Sequence, residues 1–64
     1  MSFITRDDAI KSGAVIAKQD GGFVVFLNDL GEEIGVRKCG SATDAYVMML
    51  SVNNELKKIS GRTQ

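Results

Sequence analysis

Cysteine is the residue type in this chain best suited to nucleophilic chemistry, and the chain contains one, Cys39. A thiol becomes a nucleophile when a neighbouring base or cation lowers its pKa, and histidine is the usual base. The 64 residues include no histidine, and Lys38 points to the opposite side of the predicted strand. We therefore predict that the protein is not an enzyme and has no catalytic residue. We also predict no cofactor and no metal site with side-chain ligands.

An acidic group, Asp29, Glu32 and Glu33, occupies a predicted turn between two apolar segments. Its spacing differs from that of a calcium-binding loop, whose ligands recur at alternate positions. The pattern favours a solvated hairpin tip. A weak cation site and an acidic contact for a basic partner are the alternatives.

Basic residues supply the candidate nucleic-acid contacts: Arg37, Lys38, Lys57, Lys58 and Arg62. The formal net charge is zero, because residues 1–36 carry 3 − 6 = −3 and residues 37–64 carry 5 − 2 = +3. Binding to phosphates gains affinity from many cationic contacts, which a neutral chain lacks. Arg37 and Lys38 precede the predicted C-terminal helix, whereas Lys57, Lys58 and Arg62 lie at its end, roughly 25 Å away. We therefore expect two separate groups, and solvated charge as their usual state.

The elements that position these residues form an α+β fold. Thr5 and Gly13 are suited to the two caps of a short N-terminal helix, and Ser41 is suited to the cap of a long C-terminal one. Short Asp-Gly and Asn-Asp-Leu-Gly connections predict antiparallel strands between the helices. We predict a single domain over residues 1–64: a helix at about 6–12, strands at about 14–18, 23–27 and 33–38, a helix at about 42–59, and a loose tail at 61–64.

Apolar residues exceed what this fold can cover. Ala45, Met49, Val52, Leu56 and Ile59 form one helical stripe that covers one face of the sheet. The central strand is apolar on both faces, and the N-terminal helix is the available second cover. The predicted protein-interaction residues are those without certain cover: Val24, Phe26, Tyr46, Val47 and Leu50. Ordinary packing of these residues against the N-terminal segment is the alternative.

Two families share parts of this pattern. The element order resembles a double-stranded RNA-binding domain, with Phe23, Val25, Gly35 and the helix entry from Gly40-Ser41 to Ala45 at matching places. Separately, Gly22-Phe23, residues 31–35 and Asn54-Glu55-Leu56 resemble the arm-binding domain of phage-type tyrosine recombinases. The first resemblance implies binding to RNA. The second implies a three-stranded sheet that enters the major groove of DNA.

Size and the scarcity of motifs suggest an analogy with phage-encoded inhibitors such as anti-CRISPR proteins. We expect a small protein-interaction module that forms a homodimer, contacts a host protein, or does both, as a phage or mobile-element factor that modulates that protein. A nucleic-acid-binding module is the alternative. The free thiol and the absence of a signal-peptide pattern favour the cytoplasm, and no membrane contact is expected.

Overall fold

The computed structural model describes residues 3–61, which form two helices and a three-stranded antiparallel sheet. The order of elements is α1 (Arg6–Lys11), β1 (Ile16–Asp20), β2 (Phe23–Leu27), β3 (Glu33–Lys38) and α2 (Ala42–Gly61). The α+β fold is therefore confirmed. Of the predicted loose tail, residues 62–64 lie outside the described residues.

Both helices begin at the predicted caps. The Thr5 hydroxyl accepts a hydrogen bond from the Asp8 amide at 3.1 Å, and the Ser41 hydroxyl accepts one from the Asp44 amide at 3.1 Å. These bonds satisfy amides that have no partner inside the first helical turn. After α1 the chain leaves the helix through Gly13, whose φ of +93° suits glycine.

The first strand lies two residues later than predicted. We expected the strand to end at about residue 18, but it continues to Asp20, which pairs with Phe23, and the turn consists of Gly21 and Gly22 alone. Gly21 has a φ of +59°. A positive φ at the first of two turn residues is what a type II′ hairpin requires, so the two glycines suffice to reverse the chain.

Both helices pack on the same face of the sheet, which we call the helix-side face. Ala9 of α1 joins Ala45, Val52 and Leu56 of α2 in a core that includes Val24 and Phe26. The helix α2 lies mainly over β1 and β2, while α1 contacts β3. The N-terminal helix, which was the available cover for the second face, therefore does not lie opposite α2.

Small residues explain why this face receives the helices. Ala17 and Gly35 lie on either side of Phe26 in the sheet register. Ile4 packs directly over Gly35, where a β-carbon would lie 2.7 Å from Ile4 Cγ1. Flanking residues without bulk let the helix layer approach closely enough to bury Phe26 and Val24 completely.

Candidate functional site

The face of the sheet opposite the helices, which we call the open face, has no described element packed over it apart from Phe3 at one side. The pairing register of the strands determines which side chains lie on this face, because directly opposed residues in a sheet point to the same side. Three rows cross it: Ile16, Leu27 and Glu33; Lys18, Val25, Val36 and Phe3; and Asp20, Phe23 and Lys38.

The open face is largely apolar, with Val25 and Val36 at its centre and its exposed apolar residues around them. Phe3 is 62% exposed, Ile16 46% and Phe23 36%. The rings of Phe3 and Phe23 stack, with centroids 6.3 Å apart. Val36 lies between Val25 and Phe3 in one row and is only 1% exposed, although it is absent from the helix-side core. The open face is therefore a small apolar surface built around Val36 and the two phenylalanines.

Charged residues of both signs also lie on this face. Lys18 and Lys38 carry two positive charges and Asp20 and Glu33 carry two negative ones, so the net charge of the face is 2 − 2 = 0. Asp20 and Lys38 lie on β1 and β3, one on each side of Phe23. All four charged residues are exposed. The open face therefore has no net charge, but positive and negative charges lie at different positions on it.

The predicted exposure of Val24 and Phe26 is wrong. Both are fully buried under the helices, so neither can belong to a surface of the folded monomer. The alternation along β2 is as expected, but the two faces are exchanged. Phe23, Val25 and Leu27, which alternate with Val24 and Phe26 along β2, lie on the open face.

The outer side of α2 carries a second apolar group, which we call the α2 stripe. Tyr46, Val47 and Leu50 are 51%, 59% and 49% exposed. Their exposure agrees with the sequence analysis, and their role in binding stays a prediction. Ile59, which we placed in the buried helical stripe, is 37% exposed at a groove that it shares with Val15 and Ile16.

The structure brings Arg37 and Lys38 to one cleft beside Thr5, although they start from opposite faces of the sheet, and it places Lys57 in a different groove. Lys38 lies on the open face opposite Phe23, while Arg37 pairs with Val24 on the helix-side face. The Arg37 guanidinium borders a cleft with Thr5 and Asp7, and its Nε atom is buried without a hydrogen-bond partner in the described part of the chain.

The C-terminal basic residues belong to another region of the molecule. Lys57 lines the groove beside Val15 and Ile16, at the opposite end of the sheet from Lys38, and Lys58 is exposed in the last turns of α2. Arg62 lies outside the described residues. Among residues 3–61 these cations therefore form two groups, as expected.

The acidic loop is organised by Asn28. Its side-chain oxygen accepts hydrogen bonds from the amides of Leu30 at 3.0 Å and Glu32 at 2.9 Å, and its side-chain nitrogen donates to Glu32 Oε1 at 3.1 Å. Gly31 takes the positive φ of +80° that the turn needs. This loop is an exposed hairpin tip. Cys39, half-buried after β3, is a free thiol that packs against the helix-side core.

Asn53 is a structural residue that the sequence analysis missed. Its side-chain nitrogen donates to the Ala17 carbonyl at 2.9 Å, and its side-chain oxygen accepts from the Ala17 amide at 2.7 Å. The amide group thus takes the place of a neighbouring strand on the outer edge of β1. An asparagine beside the buried helical stripe, where apolar residues would be expected, was the available signal.

The other edge of the sheet is also occupied. The Ile4 amide donates to the Val36 carbonyl at 2.9 Å, and Phe3 pairs with Val36 in parallel orientation. Unpaired strand edges are common sites of association, because their backbone groups seek partners. Here both edges are filled at their centres, so the open face remains as the accessible part of the sheet.

Searches against protein-family models, curated proteins and solved structures find no match to this chain. The resemblances to RNA-binding and recombinase domains therefore stay predictions. Among the described residues, neither helix combines the length and the apolar character that crossing a membrane requires.

Proposed function

We propose that the protein is a non-enzymatic module that acts by binding protein, and that the open face is its binding surface. The observation that carries this proposal is the exposed apolar area of that face, contributed by Phe3, Ile16 and Phe23. Stable contacts between proteins bury aromatic and aliphatic side chains and include charged residues. The open face combines both kinds of side chain.

Charge supports protein over nucleic acid as the partner. A surface that binds phosphates needs a local excess of cations. The open face has none, since Lys18 and Lys38 are balanced by Asp20 and Glu33. Of the other candidate contacts among the described residues, Arg37 lies near the end of β3 and Lys57 lies beside the opposite end of the sheet. In this proposal the module modulates its partner in the manner of small phage or mobile-element regulators.

Phe23→Ser tests the proposal, because Phe23 contributes exposed apolar area and is absent from the helix-side core. The wild-type chain and this variant are immobilised and exposed to extract of the source cell, and the retained proteins are identified by mass. Circular dichroism verifies that the variant is folded. We expect a protein, either a second copy or another chain, that the wild type retains and Phe23→Ser does not.

Leu50→Ser is the matched control, since Leu50 is similarly apolar and exposed but lies on the α2 stripe. We expect it to retain the same protein as the wild type. Loss of binding in Leu50→Ser alone would contradict the open face as the binding surface. Tight binding to duplex DNA or RNA that weakens steeply with salt and is abolished by Lys57→Ala/Lys58→Ala would contradict the proposed function.

A further inference from the structure

The charges of the open face bear on which protein it binds. Asp20 and Lys38 lie in one row on either side of Phe23. Adjacent strands are about 4.8 Å apart, so these two positions are separated by about 10 Å within one chain. At that distance in physiological salt, two exposed charges are largely screened from each other. Each of them therefore remains available to an opposite charge outside the chain.

Opposite charges placed symmetrically about β2, as Asp20 and Lys38 are, can make a row of the face complementary to the same row of a second copy, whereas Lys18 and Glu33 have Val36 and Ile16 at the mirrored positions. Most homodimers are formed about a twofold axis, which brings the same patch of both chains together. A twofold axis along β2 exchanges the β1 side of the face with the β3 side. Asp20 of each copy then faces Lys38 of the other, which gives two opposite-charge pairs.

We propose that the open face binds a second copy of this chain, face to face, about such an axis. Phe23, Val25 and Leu27 then meet their own counterparts in the middle of the contact. Two sheets stack about 10 Å apart, a separation that a lysine and a facing carboxylate can bridge. This inference names the partner of the surface described under "Proposed function" and rests on that proposal.

Lys18 favours this axis over the alternative one. A twofold axis at right angles to the strands, through the middle row, would also give two opposite-charge pairs, between Lys38 and Glu33, but it would place Lys18 against Lys18 of the other copy. Like charges in direct apposition disfavour a complex. The axis along β2 instead places Lys18 opposite Val36, over which the methylene groups of lysine can lie.

The size of the face limits the strength of the dimer. Three strands of about five residues cover roughly 14 Å by 17 Å. This footprint is far below the accessible area of about 800 Å² that each partner buries in a standard interface. We therefore expect a weak dimer.

Sedimentation equilibrium of the full chain, between about 20 µM and about 1 mM, measures the dissociation constant of this dimer. Asp20→Lys and Lys38→Asp each place two like-charge pairs in the contact. We expect each variant to raise the dissociation constant at least about tenfold. The double variant Asp20→Lys/Lys38→Asp restores opposite charges, and we expect its dissociation constant to be within about threefold of the wild-type value.

Lys11→Asp is the control, because it changes the net charge as much as Lys38→Asp does but lies on α1, exposed and away from the open face. We expect it to leave the dissociation constant within about threefold of wild type. A chain that is monomeric at about 1 mM overturns the second copy as the partner. The second copy is also overturned as the partner if the single variants dimerise with the wild-type dissociation constant, or if the double variant has a higher dissociation constant than either single variant.

The proposed function fails by a different result. If the chain is monomeric but still retains another protein through Phe23, the open face binds protein and only the second copy is excluded. If no protein is retained through Phe23 and no dimer forms, both proposals are overturned together.

Discussion

Gly35 sets the distance between the N-terminal segment and the sheet. A β-carbon at this position would lie 2.7 Å from Ile4 Cγ1 and 3.4 Å from Ile4 Cγ2. The Ile4 backbone cannot simply withdraw, because its amide is bonded to the Val36 carbonyl. Gly35 is therefore a packing residue, and its backbone has no positive φ that would require glycine.

We predict that Gly35→Ala lowers the free energy of unfolding by about 1–3 kcal/mol through overpacking. Gly22→Ala is the control, since a β-carbon there would make only ordinary contacts, the nearest at 3.7 Å. Urea denaturation measures both. Adding Ile4→Ala to Gly35→Ala should destabilise by at least about 1 kcal/mol less than the two single changes summed. If the two changes in unfolding free energy are fully additive, the strain in Gly35→Ala does not come from contact with Ile4.

Asn53 makes both of its side-chain hydrogen bonds to the backbone of Ala17. Removing the amide leaves a partly buried N–H and C=O without partners, so we predict that Asn53→Ala costs about 1–3 kcal/mol of stability. The neighbouring Asn54 is exposed, and Asn54→Ala should change stability by less than about 0.5 kcal/mol. Equal effects of the two changes in thermal or urea denaturation would rule out the pairing with Ala17.

At the scale of elements, β2 decides which face of the sheet is the core. Val24 is 0% exposed on the helix-side face, while its neighbour Val25 is half-buried on the open face. The two valines are adjacent in sequence and identical in chemistry. They therefore form a matched pair for testing the assignment of faces.

We predict that Val24→Ala destabilises the fold by about 2 kcal/mol, since two methyl groups leave a closed core and a cavity remains. Val25→Ala should cost less than about 1 kcal/mol because its site is open on one side. Unfolding of both variants in urea provides the measurement. A larger effect at Val25 than at Val24 would mean that the helices cover the other face.

The elements themselves could be predicted from local sequence. Thr5 and Ser41 satisfy helix amides through their own hydroxyls, and Gly21 and Gly31 adopt the backbone angles that turns need. These are contacts between near neighbours, so the residue types are sufficient to predict them. The antiparallel order of the strands follows from the short turns.

The assignment of faces could not be predicted in the same way, because β2 is apolar on both sides. The deciding residues are Ala17 and Gly35, which lie on other strands. Their small size matters only once the register is known. The bond between Asn53 and Ala17 spans 36 positions in the chain, so it too depends on the tertiary arrangement.

At the scale of the whole molecule, the chain has a layer of helices on one face of its sheet and exposed apolar residues on the other. The sheet edges are occupied at Ala17 by Asn53 and at Val36 by Ile4. The exposed residues Tyr46, Val47 and Leu50 lie on the helix layer, away from the open face. We assign association to the open face and not to the α2 stripe, although both surfaces expose apolar residues.

Amide chemical shifts recorded from about 20 µM to about 1 mM test this assignment most directly, since weak association at these concentrations alters the residues in contact. If the open face is the contact, the shifts of Ile16, Lys18, Phe23 and Lys38 depend on concentration, and those of Tyr46, Val47 and Leu50 do not. Shifts confined to Tyr46, Val47 and Leu50, or spectra identical across the range, would contradict this assignment.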